Sequence, residues 1–96
     1  MWLVQVKRNK MINYKQKQLI DDMFKKAKEF FPEIILKEIT QSPDDPEHIW
    51  INIEHNMNED KLLDFYDFAA ELDINTLINY GYKISLMPKN TNFVYS

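Results

Sequence analysis

The spacing of apolar side chains changes period several times along this 96-residue chain. In His48-Ile49-Trp50-Ile51-Asn52-Ile53-Glu54-His55, three isoleucines alternate with other residue types. That period of two predicts a strand with a dry isoleucine face and a chemically varied face carrying His48, Trp50, Asn52 and Glu54. Residues 33–40, rich in Ile and Leu, predict a neighbouring strand. Between the two lies Ser42-Pro43-Asp44-Asp45-Pro46, a dense turn signal. The pair therefore reads as a hairpin with a loop of about six or seven residues. Either Glu33, Ile35, Lys37 and Ile39 or Ile34, Leu36, Glu38 and Thr40 then join Trp50 on the outer face, depending on register.

Over residues 14–31 the period becomes helical. Leu19, Met23, Ala27 and Phe30 form one row and Ile20, Phe24, Ala27 and Phe31 the next, making a stripe that faces the core. Asn13 is placed as the N-cap, and Pro32 ends the helix because it cannot donate a backbone hydrogen bond. A second helix is expected over residues 57–80, with Asn56 three positions before Glu59 in a capping-box-like arrangement. Leu62, Phe65, Tyr66, Ala69, Ala70 and Leu72 line one side of its first part. Asp64, Asp67, Glu71 and Asp73 are expected on the solvent side. The polar residues 73–76 mark a kink or break. Gly81, the only glycine, stands where a left-handed C-cap is wanted. A last strand is expected over residues 82–87, stopped by Pro88, with residues 89–96 as a polar tail.

Residues 2–7 read as a further short strand with Trp2, Val4 and Val6 on one face. Counting it, the order is β-α-β-β-α-β, the ferredoxin-like split βαβ arrangement, a two-layer α+β sandwich of two helices on one face of an antiparallel sheet. Met11 is an alternative start. It would leave residues 1–10 as an extension and give α-β-β-α-β with a three-stranded sheet. Either way the length predicts one α+β domain over residues 1–96.

Composition narrows the chemistry. The chain has no cysteine, which removes thiolate catalysis, cysteine-ligated zinc and disulfide scaffolding. A single glycine argues against a glycine-rich phosphate loop. No apolar run is long enough to span a membrane, and residues 2–6 are too short and polar for a signal-peptide core, so a cytoplasmic protein is expected. Charge is unevenly spread. Residues 1–41 carry nine Lys/Arg against five Asp/Glu, and residues 42–96 carry three Lys against ten Asp/Glu, net +4 and −7. Such a distribution either simply decorates solvated faces or makes a dipolar surface that steers a basic partner to the C-terminal half or an acidic one to the N-terminal half.

Catalytic and metal sites fare poorly. His48 and His55 are seven positions apart, so on one strand they point to opposite faces and lie roughly 23 Å apart. They cannot share a metal within one chain. His48 beside Asp44, Asp45 and Glu47 lacks the alternating oxygens of a calcium loop. Glu59 and Asp60 are explained by what a helix N-terminus prefers. None of Ser42, Ser85 and Ser96 lies in a nucleophile motif. No catalytic residue, cofactor or metal is therefore expected, and the chain is read as non-enzymatic.

What remains is contact. His48, Trp50, Asn52 and Glu54 form the candidate interaction set, an open sheet face suited to a homodimer or to a protein partner, a basic one fitting the acidic C-terminal half, unless the C-terminal tail with Phe93 and Tyr95 folds over it and covers Trp50. The expected function is protein binding or regulation, such as neutralising a basic protein. The alternative is a nucleic-acid-binding module using Trp50 and the lysines of the first helix. A weaker third reading is a small-molecule pocket near Tyr66, Tyr80 and Tyr82.

Overall fold

The computed structural model describes residues 13–90. The elements are α1 (Tyr14–Phe30), β1 (Ile35–Gln41), β2 (His48–His55), α2 (Glu59–Tyr80) and β3 (Lys83–Asn90). They form a two-layer α+β fold with a three-stranded mixed sheet in the order β1-β2-β3. This is the α-β-β-α-β order. The strand expected over residues 2–7 lies outside the described residues.

Local signals explain most boundaries. Asn13 opens α1 with a reciprocal capping box: its side chain accepts from the Gln16 amide, and Gln16 Oε1 accepts from the Asn13 amide. Pro32 follows the C-cap, Phe31. The N-cap of α2 is Asn58, whose side chain accepts from the Lys61 amide, and not Asn56. Residues 73–76 do not break α2, which runs unbroken for 22 residues. Gly81 ends it with φ +78°, a left-handed conformation that a Cβ would strain.

β1 and β2 form the expected antiparallel hairpin, with a bulge between Leu36 and Glu38 that leaves Lys37 as the extra residue. The bulge resolves the register question in a way that simple alternation does not allow. Ile35 pairs with Glu54 before it, while Glu38 and Thr40 pair with Asn52 and Trp50 after it. Ile39 pairs with Ile51 and is buried. One inserted residue shifts the parity, so each of the two alternatives is right for part of the strand.

The sheet is mixed because β2 and β3 pair in parallel over the whole of β3, from His48↔Lys83 to His55↔Asn90. Parallel neighbours need a long crossover, and α2 supplies it. In a split βαβ the two strands joined by a helix are separated by another strand. Here they are direct neighbours, so the slot is closed and the described residues do not form the ferredoxin-like sheet. Pro88, expected to end the last strand, lies inside β3. β3 is an edge strand, where a proline's missing N–H costs no ladder bond if it faces outward.

One core holds the layers together. Ile49, Ile51 and Ile53 of β2, Ile39 of β1, and Ile84 and Leu86 of β3 pack in a single buried cluster with residues of both helices. Leu19, Ile20, Met23 and Ala27 come from α1, and Phe65 and Ala69 from α2. The Phe31 ring meets Phe65 edge-on at 5.1 Å and Phe68 at 5.6 Å. Burying each large side chain stabilises the fold by roughly 1.5–3 kcal/mol. Phe30, Tyr66 and Ala70, expected on core-facing rows, are exposed. No helix among the described residues is long and apolar enough to cross a membrane.

Candidate interaction surface

The alternation of β2 places His48, Trp50, Asn52 and Glu54 on the sheet face away from the isoleucines, as their partners Lys83, Ser85, Met87 and Lys89 require. They are not equally available. His48, Trp50 and Glu54 are half-buried, and Asn52 is only 2% exposed. Asn52 Nδ2 donates to Thr40 Oγ1 at 2.9 Å and to the Glu38 carbonyl at 3.3 Å. The second bond is made beside the bulge, where the backbone ladder is interrupted. Asn52 is therefore committed to holding β1 on β2, although its Oδ1 is buried without a hydrogen-bond partner. Glu54 Oε2 lies 3.0 Å from Lys37 Nζ, so the bulged residue and this carboxylate pair with each other.

The histidines are separated as their parity requires. His55 is buried, its Nδ1 accepts from the Met57 amide at 3.0 Å, and burial pulls its pKa below the ordinary value against the opposing charge of Glu33. It caps the turn into α2 as a neutral ring. His48 has a different set of neighbours. Its Nε2 lies 2.7 Å from Ser85 Oγ. Near that serine stands Asp73 of α2, whose carboxylate is pushed up to about 6 by burial, while the polarity of the Ser85 hydroxyl and the Leu86 amide works against the rise. Asp73 Oδ1 is buried without a hydrogen-bond partner.

The sequence did not connect these three residues, because the contact is made by the parallel pairing and by the position of α2 along the edge strand. The three side chains line one groove at the edge of β3, where the His48 ring nitrogen and the Ser85 hydroxyl share a hydrogen bond whose direction follows the imidazole tautomer.

A larger feature lies on α2. Its core side carries Phe65 and Ala69, yet Leu63, Tyr66, Ile74, Leu77 and Ile78 are exposed, Ile78 by 74%, Leu63 by 58% and Leu77 by 46%. Together with exposed Ala70 they follow spacings of three and four, so they share one face, away from the core. Ile74 and Leu77 also wall a groove completed by His48, Lys83, Ile84 and Ser85, with Asp73 in its lining. The apolar face of the helix thus meets the rim of the sheet face at His48. Lys83, on that rim, is held by the Asp45 carboxylate, which keeps the lysine pKa up and the aspartate pKa down.

The tyrosines expected to mark a pocket do not converge. Tyr80 lines a groove between the two helices and lies under Lys15, 4.6 Å from the ammonium to the ring centre. Tyr82 lines a different cleft and its hydroxyl accepts from Asn13 Nδ2 at 3.2 Å. Tyr66 lies on the outer face of α2. Among the described residues no group of three or more His, Asp or Glu could hold a metal ion. The chain matches no family model, no curated protein and no solved structure.

Proposed function

We propose that the chain is a small cytoplasmic, non-enzymatic module that works by binding another protein. The outer face of α2, extended over the groove to His48 and Trp50, is its contact surface. The observation that carries the proposal is the second apolar side of α2. Scattered exposed apolar residues need no explanation, but a row of five along one helix face is a patch that marks an interaction site. Covering what remains exposed of each would contribute on the order of 1 kcal/mol. That is enough, summed over the row, to support association after its entropic cost. Compared with the sheet face alone, the helix offers more exposed apolar surface and fewer residues already tied up in internal hydrogen bonds.

The test is affinity capture from the native host with three baits: the full chain, Leu77→Glu/Ile78→Glu, and Trp50→Ala. Proteins retained by the full chain should be lost from the α2 variant and reduced with Trp50→Ala. Capture unaffected by the α2 substitutions, with the variant folded by circular dichroism, would remove the helix from the interface. Single-stranded RNA bound in a salt-sensitive way and lost on Trp50→Ala would replace protein binding with the nucleic-acid alternative.

A further inference from the structure

The outer face of α2 has a charged border as well as an apolar centre. Asp60, Asp64, Asp67 and Glu71 are all exposed, and their spacings of four, three and four set them in one row beside Leu63, Ala70 and Ile74. The row is about 16 Å long at the helical rise. None of the four carboxylates takes part in an ion pair among the described residues. Lys61, the only cation on α2, points elsewhere: it lies 3.9 Å from Glu33 and faces the Phe31 ring. Like charges at these spacings destabilise an isolated helix by a few tenths of a kcal/mol per pair, about 0.2–0.5. Asp64, Asp67 and Glu71, beyond the first turn, keep this repulsion without an ion pair among the described residues, directly beside the exposed apolar row.

We propose that this face docks an amphipathic helix of a partner protein, one whose apolar seam is bordered by a row of Lys or Arg. The inference rests on the reading of α2 as the contact surface and adds the partner's chemistry. The apolar seam supplies the attraction, and the carboxylate row selects the register and the charge of the incoming helix. A second copy of α2 fits less well. It would bring four more carboxylates and no cation to the border in either direction, since Lys61 lies on the other side. The acidic surplus of residues 42–96 adds long-range steering of a basic segment toward this side.

The experiment titrates the full chain into two labelled helical peptides of about 18 residues with the same leucine seam, one bordered by Lys and the other by Glu. Binding is read by fluorescence anisotropy at about 0.15 M salt. The Lys-bordered peptide should bind at least about tenfold more tightly, a gap that narrows as salt is raised. Asp64→Lys/Glu71→Lys should reverse the preference. Leu77→Glu, and independently Ile78→Glu, should weaken both peptides. If the two peptides bind alike and both are lost on Leu77→Glu, the face binds but the basic partner is overturned. If the Lys-bordered peptide binds regardless of Leu77→Glu and Ile78→Glu, the contact surface itself is overturned. Failure of the Lys-bordered peptide to bind overturns the proposal. Self-association of the full chain that disappears on Leu77→Glu gives the face to a second copy and overturns it too.

Discussion

The two helices are built on different plans. α1 has one apolar side, formed by Leu19, Ile20, Met23 and Ala27, and apart from exposed Tyr14 and Phe30 at its two ends the rest of its surface is mostly lysine, aspartate and glutamine. A helix of that kind is finished once it lies on the sheet. α2 has a core side of Phe65 and Ala69 and a second apolar side facing solvent, bordered by carboxylates. Among the described residues only Ile74 and Leu77 of that second side reach the sheet, at the groove beside His48 and Ile84. The contrast teaches that a helix can satisfy the core with one side and still carry a second apolar side bordered by carboxylates.

That contrast can be broken most directly with truncations in α2. Phe65 is fully buried, so Phe65→Ala should cost about 3–5 kcal/mol of stability. Ile78→Glu, on the outer side and 74% exposed, should change stability by no more than about 0.5 kcal/mol. Urea denaturation of the two variants measures both. An Ile78→Glu loss comparable to that of Phe65→Ala would mean the outer side is packed after all.

The next effect concerns α1, whose start depends on its capping box. Asn13→Ala removes the side-chain acceptor for the Gln16 amide and should cost about 1 kcal/mol. The stability loss should appear in the urea midpoint, with little change in peptide binding by α2. A binding loss larger than the stability loss would tie α1 to the contact surface.

A smaller effect tests the border between α2 and the sheet. Asp73 titrates at about 6 in the folded chain, above its ordinary 3.8. The folded state therefore binds more protons between those values, and the stability linked to this group is full below 3.8 and lost as pH rises through about 6. Asp73→Asn should flatten that decline, so its advantage over the unsubstituted chain grows across the window and is constant above it. His55 works in the opposite direction. Its folded pKa lies below the ordinary 6.5, so its contribution is present above 6.5 and is lost as pH falls. Urea midpoints taken across the pH range separate the two slopes. An unchanged decline in the Asp73→Asn variant would assign it to another group.

The smallest effect is spectroscopic. The Ser85 hydroxyl holds the Asp73 carboxylate pKa down against burial, so Ser85→Ala should raise its midpoint above about 6 in a carbonyl-carbon NMR titration. A fall would show that the hydroxyl accepts from a protonated carboxyl instead of donating to it.

Much of this architecture is written in the local pattern. The isoleucine alternation of residues 48–55 fixes a strand and its dry face, because a period of two admits no helix. The stripe of α1, the capping residue Asn13, the proline-rich turn and Gly81 are legible for the same reason: each rests on backbone or packing rules within a few residues. That His48, Trp50, Asn52 and Glu54 share one face follows from the alternation, but how far each is exposed does not. Asn52 is taken up by a bulge that no pattern announces. The second side of α2 was legible in principle, since Leu63, Tyr66, Ala70, Ile74 and Leu77 follow helical spacing as closely as the core row does. Apolar residues at such spacing are ordinarily assigned inward, and sequence alone gives no way to tell which of two rows the sheet will cover.

The sequence by itself determined the five elements of residues 13–90, the dry face of β2, the polarity of the two halves and the absence of cysteine chemistry. These depend on local periodicity and composition, which folding does not alter. Only the tertiary structure decided that β2 and β3 are parallel neighbours, that His48, Ser85 and Asp73 meet across the sheet edge, and that α2 turns one of its two apolar sides to solvent. Those outcomes depend on which distant segments share a surface, a competition of packing between pieces of chain that the residues within any one piece do not encode.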